Sequence, residues 1–279
     1  MNAFISTRDL QFHYQDYITA LRGITIDIDL GEFIAIMGEN GAGKTTLVKH
    51  FNGLLKPSEG FVIVDGIDTK DATVAELSRK VGYVFQNPLY QLFSESVEKE
   101  VGLGLKYTSL SEAEKQRRIE LVLTDLGIEK QRKRHPLMLS EGERKSVAIA
   151  SVLVMDPSVL ILDEPTLGLD AREKGRLEAI LRKLHKDGRT VILVSHDVEF
   201  VFDTAERIIA MADGEILFDG SRDDVLEKSD VFREAGLVEP QILTLTSALS
   251  KYGLRKRCAS IDEISDLLIP LLRGNGPDE

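Results

Sequence analysis

The stretch FIAIMGENGAGKTTLVKHFNGLL, residues 33–55, constrains the fold more than any other part of the chain. Five apolar residues run into a glycine-rich turn, and the turn runs into a helical pattern that sets Leu47, Phe51, Leu54 and Leu55 on one face. Inside it, Gly38, Gly43, Lys44 and Thr45 match the phosphate-loop pattern, whose backbone N–H groups cradle phosphates. In that pattern the lysine reaches the β and γ oxygens and the hydroxyl reaches Mg²⁺. The cradle expected here is Gly38, Glu39, Asn40, Gly41, Ala42, Gly43, Lys44, Thr45 and Thr46. Such a loop sits between a strand and a helix, which demands an α/β fold.

Two further apolar runs supply more sheet. SVLILDEP (158–165) and TVILVSHD (190–197) read as buried parallel strands, joined by a helix with Leu177, Ile180, Leu181 and Leu184 on one face. Strands alternating with amphipathic helices imply a parallel sheet covered on both sides. The run 158–165 delivers Asp163 and Glu164 at its C-terminal end, the edge where open α/β sheets bind ligands. Beside a phosphate loop their tasks separate: Asp163 holds Mg²⁺ through water, and Glu164 orients and deprotonates the attacking water. From about 87 to 157 the texture turns helical, and Ser111 with Glu114 forms a capping-box pattern ahead of Ile119, Val122, Leu123 and Leu126. The expected division is an α/β core over 1–86 and 158–220, a helical subdomain over 87–157, and a small C-terminal helical appendage over 221–279.

Composition excludes several classes. With 35 Lys and Arg against 46 Asp and Glu the net charge is −11, so no nucleic-acid partner is expected. The single cysteine, Cys258, rules out a disulfide framework and suits a reducing compartment. The N-terminus lacks a secretory pattern and no stretch reaches the roughly 20 apolar residues of a membrane helix, so any membrane role runs through partners. The basic clusters at 132–134 and 255–257 read as solvated faces.

LSEGERKSVAIA, residues 139–150, has two readings. Ser140 followed by Glu143 is a capping box that starts a helix. Ser140 with Gly142 at a helix N-terminus is equally a place to set a phosphate.

The ordered elements GENGAGKTT, VFQNP, LSEGERKSVAIA, VLILDEPTLGLD and VILVSHD resemble the ATP-binding subunit of an ABC transporter over roughly residues 4 to 225. The resemblance implies a phosphate-loop (RecA-like) ATPase core with an inserted helical subdomain. It implies ATP and Mg²⁺ as cofactors, and a head-to-tail pair of ATPase subunits in which each ATP lies between one phosphate loop and the other subunit's Ser140–Gly142 stretch. By it, Gln86 reaches Mg²⁺ and the water, Asp170 crosses the interface, and His196 contacts the γ-phosphate. Tyr14, with Tyr17 as rival, stacks on adenine.

GYVFQNPLYQLFSESVEKEVGLGLKY and the tail REAGLVEPQ look most like ATPases of energy-coupling-factor importers, which include those for cobalt, nickel and vitamins. The resemblance implies that the region after Gln86 grips a membrane-embedded subunit, with Leu89, Leu92 and Phe93 forming a partly exposed apolar groove, that the 221–279 appendage is a dimer contact helping to hold the ATPase pair together, and that the protein sits peripherally on the cytoplasmic face of the membrane. A soluble ABC-class ATPase is the alternative, but only about 95 residues separate Lys44 from Ser140, which leaves no room for a coiled-coil arm. A GTPase would require Asn-Lys-x-Asp, which is absent. Where the family usually has Leu-Ser-Gly-Gly-Gln, this chain has Glu141 and Glu143. A carboxylate about 4 Å from the γ-phosphate would cost of order 4 kcal/mol per charge pair at an effective dielectric near 20. Such a weakened site leans towards a different ATPase as partner, although the sequence leaves homodimer and heterodimer open.

Overall fold

A computed structural model describes residues 3–15, 18–228, 230–249 and 261–272. Strand β1 (Ile5–Tyr14) pairs antiparallel with β2 (Ile18–Ile28) on one edge and with β4 (Glu59–Val64) on the other, and β4 pairs with the short β5 (Ile67–Asp68). This four-stranded sheet is additional to the parallel sheet announced by the apolar runs. Its signal is the two-residue period of a half-buried strand: in β2, Ile24, Ile26 and Ile28 turn inward while Thr25 and Asp27 face water.

The second sheet has six strands in the order β10-β9-β3-β8-β7-β6. Strands β3 (Phe33–Met37), β6 (Val81–Val84), β7 (Val159–Asp163), β8 (Thr190–Val194) and β9 (Arg207–Ala212) are parallel, and β10 (Glu215–Ser221) closes the edge antiparallel. Every residue of β3, β7 and β8 is buried, because each strand feeds a different core from each face. In β3, Phe33, Ala35 and Met37 join the core shared with most of the helices. Ile34 and Ile36 join a second core filled by the antiparallel sheet and helix α1 (Lys44–Phe51).

Helix α1 ends at Phe51 rather than running to Leu55: Gly53 takes φ 74°, the left-handed stop that glycine supplies, and Leu54 is left exposed. After the single turn α2 (Val74–Leu77), helices α3 (Val97–Gly102), α4 (Glu112–Asp125) and α5 (Glu141–Leu153) form the helical region and bury Val101, Ile119, Leu123, Val147 and Ile149. At the start of α4 the capping box is half made. Ser111 Oγ accepts from Glu114 N–H at 3.2 Å, while the Glu114 carboxylate turns to Arg117 and Arg118. Arg132 is not a freely solvated charge: it bridges Glu98 at 2.6 Å and Glu120 at 3.3 Å.

Helix α6 (Ala171–Lys186) buries Leu177 and Leu181 and is followed by α7 (Val198–Thr204). Beyond β10, α8 (Arg222–Glu227) and α9 (Asp230–Glu234) send Val225, Leu226 and Phe232 into the larger core. Helices α10 (Gln241–Leu249) and α11 (Ile261–Leu272) meet in a separate small cluster at Ile242 and Ile264. Among the described residues no helix is long and apolar enough to cross a membrane. Tyr17, Cys258 and the basic cluster at 255–257 lie outside the described residues.

Candidate nucleotide site

The loop between β3 and α1 is built on glycine. A Cβ at Gly38 (φ 151°) would stand 2.2 Å from the Met211 carbonyl oxygen, and one at Gly43 (φ 97°) would stand 2.6 Å from that of Ala20. Gly43 also caps α1 without any side-chain partner, so the N–H groups of the first turn are left for an anion. Lys44 is 6% exposed, and its Nζ donates to the carbonyls of Gly38 at 2.7 Å and Glu39 at 2.8 Å. Burial lowers the Lys44 pKa, opposed by the nearby charges of Glu164, Asp163 and Glu39. The loop thus holds its own cation in place, ready for phosphate.

Across the sheet edge, Thr45 Oγ1 lies 2.9 and 3.0 Å from the two carboxylate oxygens of Asp163. Tyr83 on the adjacent β6 donates its hydroxyl to Asp163 Oδ2 at 2.6 Å. Burial, then the Asp163 charge, raises the Tyr83 pKa, so the phenol stays a donor. Sequence reasoning missed Tyr83, whose only signal is its place on a strand beside the one that carries Asp163. Among the described residues no group of three His, Cys, Asp or Glu could hold a metal ion unaided. A hydroxyl beside one carboxylate, facing a phosphate cradle, is nevertheless the all-oxygen set that suits Mg²⁺, which takes one or two carboxylates and completes its shell with phosphate and water.

Glu164 follows at φ 47°, in the left-handed region that costs a non-glycine residue of order 1 kcal/mol. The strained turn aims its carboxylate at His196, with Oε2 2.9 Å from the ring Nδ1 and 3.4 Å from the backbone N–H. The Glu164 side chain is only 8% exposed whereas that of His196 is 48% exposed, so the pair runs from a buried acid to an open rim. A buried carboxylate of this kind can take a proton from a water held at the rim.

Tyr14 stands near the same loop. Its hydroxyl is 3.3 Å from Thr46 Oγ1, its ring lies edge-on to Phe12 at 4.8 Å, and part of it is open to solvent. Gln86 is exposed. The structural ties in its neighbourhood belong to Gln91, whose amide donates to Ala148 O and Ser151 Oγ at 2.8 Å each.

Ser140, Gly142 and Asp170 are placed at two other helix starts. Ser140 caps α5 in a complete box: its Oγ accepts from Glu143 N–H at 3.2 Å, and Glu143 Oε2 accepts from Ser140 N–H at 2.9 Å. Gln131 adds a bond to the other Glu143 oxygen at 2.7 Å. The Ser140 N–H first, then Gln131 and Arg134, hold the Glu143 carboxyl below the usual range, so it remains charged. Asp170 caps α6 in the same way, with Glu173 as its reciprocal partner. The Glu173 carboxylate also fills the space beside Gly142, where a Cβ would come within 2.4 Å of Oε1. The helix-starting reading of the stretch therefore holds in the single chain.

A phosphate loop with a buried lysine, facing a strand-end Asp–Glu pair and a histidine, defines a phosphate-loop nucleotide-hydrolysing enzyme. More narrowly, the chain belongs to the ABC transporter family, which it matches over residues 21–167, and it is an ATP-binding, ATP-hydrolysing subunit of that family. It is 42% identical over 239 residues to the energy-coupling factor transporter ATP-binding protein EcfA2 of Clostridium tetani, covering 84% of this chain and 83% of that one. Among solved structures it resembles cbiO1 of Clostridium perfringens, part of the ABC transporter complex cbiONQ, with TM-score 0.77 and 38% identity over 88% of this chain and all of the other. It also resembles a dimeric ATP-binding cassette in a post-hydrolysis state with ADP and Pi, with TM-score 0.70 and 32% identity over 78% of this chain and 98% of the other.

Proposed function

We propose that this chain energises a membrane importer of the energy-coupling-factor type, carrying a transition-metal ion or a vitamin, as one of a pair of ATPases on the cytoplasmic face of the membrane. The kinship with EcfA2 and cbiO1 supports the importer class. In the proposed cycle the N–H groups of residues 38–46 and the Lys44 ammonium bind the β- and γ-phosphates, and Tyr14 stacks on adenine. Thr45, Asp163 and Gln86 would hold Mg²⁺, which would supply neutralisation of the charge developing on the phosphates. Glu164 accepts the proton of the attacking water, and His196 contacts the γ-phosphate while bonded to Glu164. Ser140 and Gly142 serve the nucleotide of the partner ATPase, and Asp170 crosses between the two subunits.

The observation that carries the transport reading is an apolar edge just past Gln86. Leu89, Tyr90 and Phe93 are exposed, Phe93 by 76%, while Leu92 between them is buried in the core and is no part of a groove. The loop that shows them is firmly built, since the buried Glu100 carboxylate accepts from the N–H groups of Phe93 at 2.8 Å and Ser94 at 2.7 Å. A rigid aromatic edge beside a nucleotide-sensing residue suits a helix of a membrane subunit. Phe93→Asp should weaken co-purification with the membrane subunits about thirty-fold, the loss of ~2 kcal/mol typical of a buried aromatic anchor, and leave ATP binding unchanged. Undiminished membrane recovery of that variant would refute the docking edge.

Glu141 and Glu143 bear on the pairing of ATPases. With Glu143 fastened to its own helix start, an incoming phosphate meets a fixed negative charge, which favours a different ATPase, with a less acidic stretch, as partner. Glu143→Gln keeps the cap, because glutamine also serves in a capping box. In a chain blocked for hydrolysis it should tighten ATP-dependent pairing by about tenfold, less than full Coulombic repulsion because the side chain is partly solvated. Sedimentation of Glu143→Gln and Glu141→Gly with and without ATP checks this; if neither tightens the pair, the acids do not face phosphate.

A further inference from the structure

Lys145 is a buried charge for which the reaction so far described has no task. It lies on α5, five residues past Ser140 and three past Gly142, and is 5% exposed. Its Nζ does not reach a carboxylate. It donates to the carbonyl oxygen of Pro165 at 2.7 Å and to that of Leu167, the turn immediately after Glu164. Burial lowers its pKa, and the charges of Glu141, Glu173 and Glu164 oppose that shift.

The strained backbone at Glu164 needs restraint on both sides. On the amide side Glu164 N–H donates to Val194 O on β8 at 2.8 Å. On the carbonyl side the next peptide oxygen is the one Lys145 holds. Without those two bonds the turn keeps its own closures, Leu167 N–H to Glu164 O at 3.4 Å and Leu169 N–H to Thr166 O at 3.1 Å, and the Thr166 tie to Asp197, none of which reaches α5.

We propose that Lys145 is a positioning residue for ATP hydrolysis, clamping the turn that carries Glu164 to the helix that begins at Ser140. The proposal rests on the assignment of Glu164 as base. The same clamp ties two places that serve different nucleotides, because Ser140 and Gly142 face the partner's ATP while Glu164 acts on its own.

The test compares Lys145→Met, which keeps the aliphatic stem without donors, with Lys145→Arg, which keeps charge and several donors, in the full chain. Phosphate release at saturating ATP should fall about ten- to hundred-fold in Lys145→Met, the scale on which a misplaced catalytic group slows a reaction. Binding of a fluorescent ATP analogue should stay within about twofold, and Lys145→Arg should recover most of the turnover. If Lys145→Met does not fold, Lys145→Gln, shorter but still a donor, takes its place and should lose at least about tenfold. In a Glu164→Gln background either variant should change residual turnover by less than about threefold, because both act through one group. Full turnover in a folded Lys145→Met or Lys145→Gln chain, or an additive loss in the Glu164→Gln background, overturns the positioning role. Should Glu164→Gln by itself leave turnover intact, the base assignment falls and the role of Lys145 falls with it.

Discussion

Replacing Glu164 by glutamine should lower ATP turnover by about 10² or more, or ~2.7 kcal/mol of barrier, while ATP still binds. The substitution leaves the shape of the site alone. A glutamine oxygen can still accept from the His196 backbone N–H, and the amide occupies the same buried volume behind the open imidazole. What it cannot do is take a proton from water. The variant should therefore load ATP and stall in the ATP-bound state. Quenched-flow measurement of phosphate release beside equilibrium ATP binding checks both halves, and turnover within threefold of wild type would remove Glu164 as the base.

Lys44→Ala should act at the earlier step. A charge-assisted contact to phosphate contributes ~3 kcal/mol, so ATP affinity should fall about two orders of magnitude. In the free chain the same ammonium satisfies the carbonyls of Gly38 and Glu39, so the loop also loses its internal fastening. Melting measured with and without ATP separates the two effects: the free chain should melt somewhat lower, and the stabilisation by saturating ATP should shrink by ~2.7 kcal/mol, the equivalent of the hundredfold loss of affinity. Unchanged ATP affinity would sink the assignment.

What the sequence revealed and what it hid divide along a physical line. Features set by a few adjacent residues were legible. The phosphate loop, the buried strands ending in Asp163 and Val194, and the Ser140–Glu143 cap all depend on short-range pattern, and all are present in the fold. The end of α1 was also written locally, in Gly53, but the apolar spacing of Leu54 and Leu55 outweighed it. The antiparallel sheet went unread because its two-residue period is broken by bulges, with register shifts in β1 near Leu10 and Phe12. Leu92 was misjudged for a different reason: in an irregular loop, neighbouring apolar residues can point to opposite sides, and no period says which. Tyr83, Gln91, Glu100 and Lys145 were invisible as partners because each makes its bonds across long sequence separations or to backbone atoms, which carry no residue identity.

The phosphate loop has one more fastening, on its outer side. Glu39 N–H donates to the carbonyl oxygen of Ala235 at 3.0 Å, and Gly236 (φ 67°) presses so closely on the Glu39 side chain that a Cβ there would come within 2.7 Å of its carboxylate. The residues that follow α9 therefore pack against the phosphate loop of the candidate nucleotide site, although nearly two hundred positions separate them from it in the chain. For anyone dividing this protein at the bench, a cut placed after the last strand of the large sheet would not release an intact motor from a dispensable tail. It would remove a hydrogen-bond acceptor from the phosphate loop, so the fragment would differ from the full chain at the candidate nucleotide site as well as in its length.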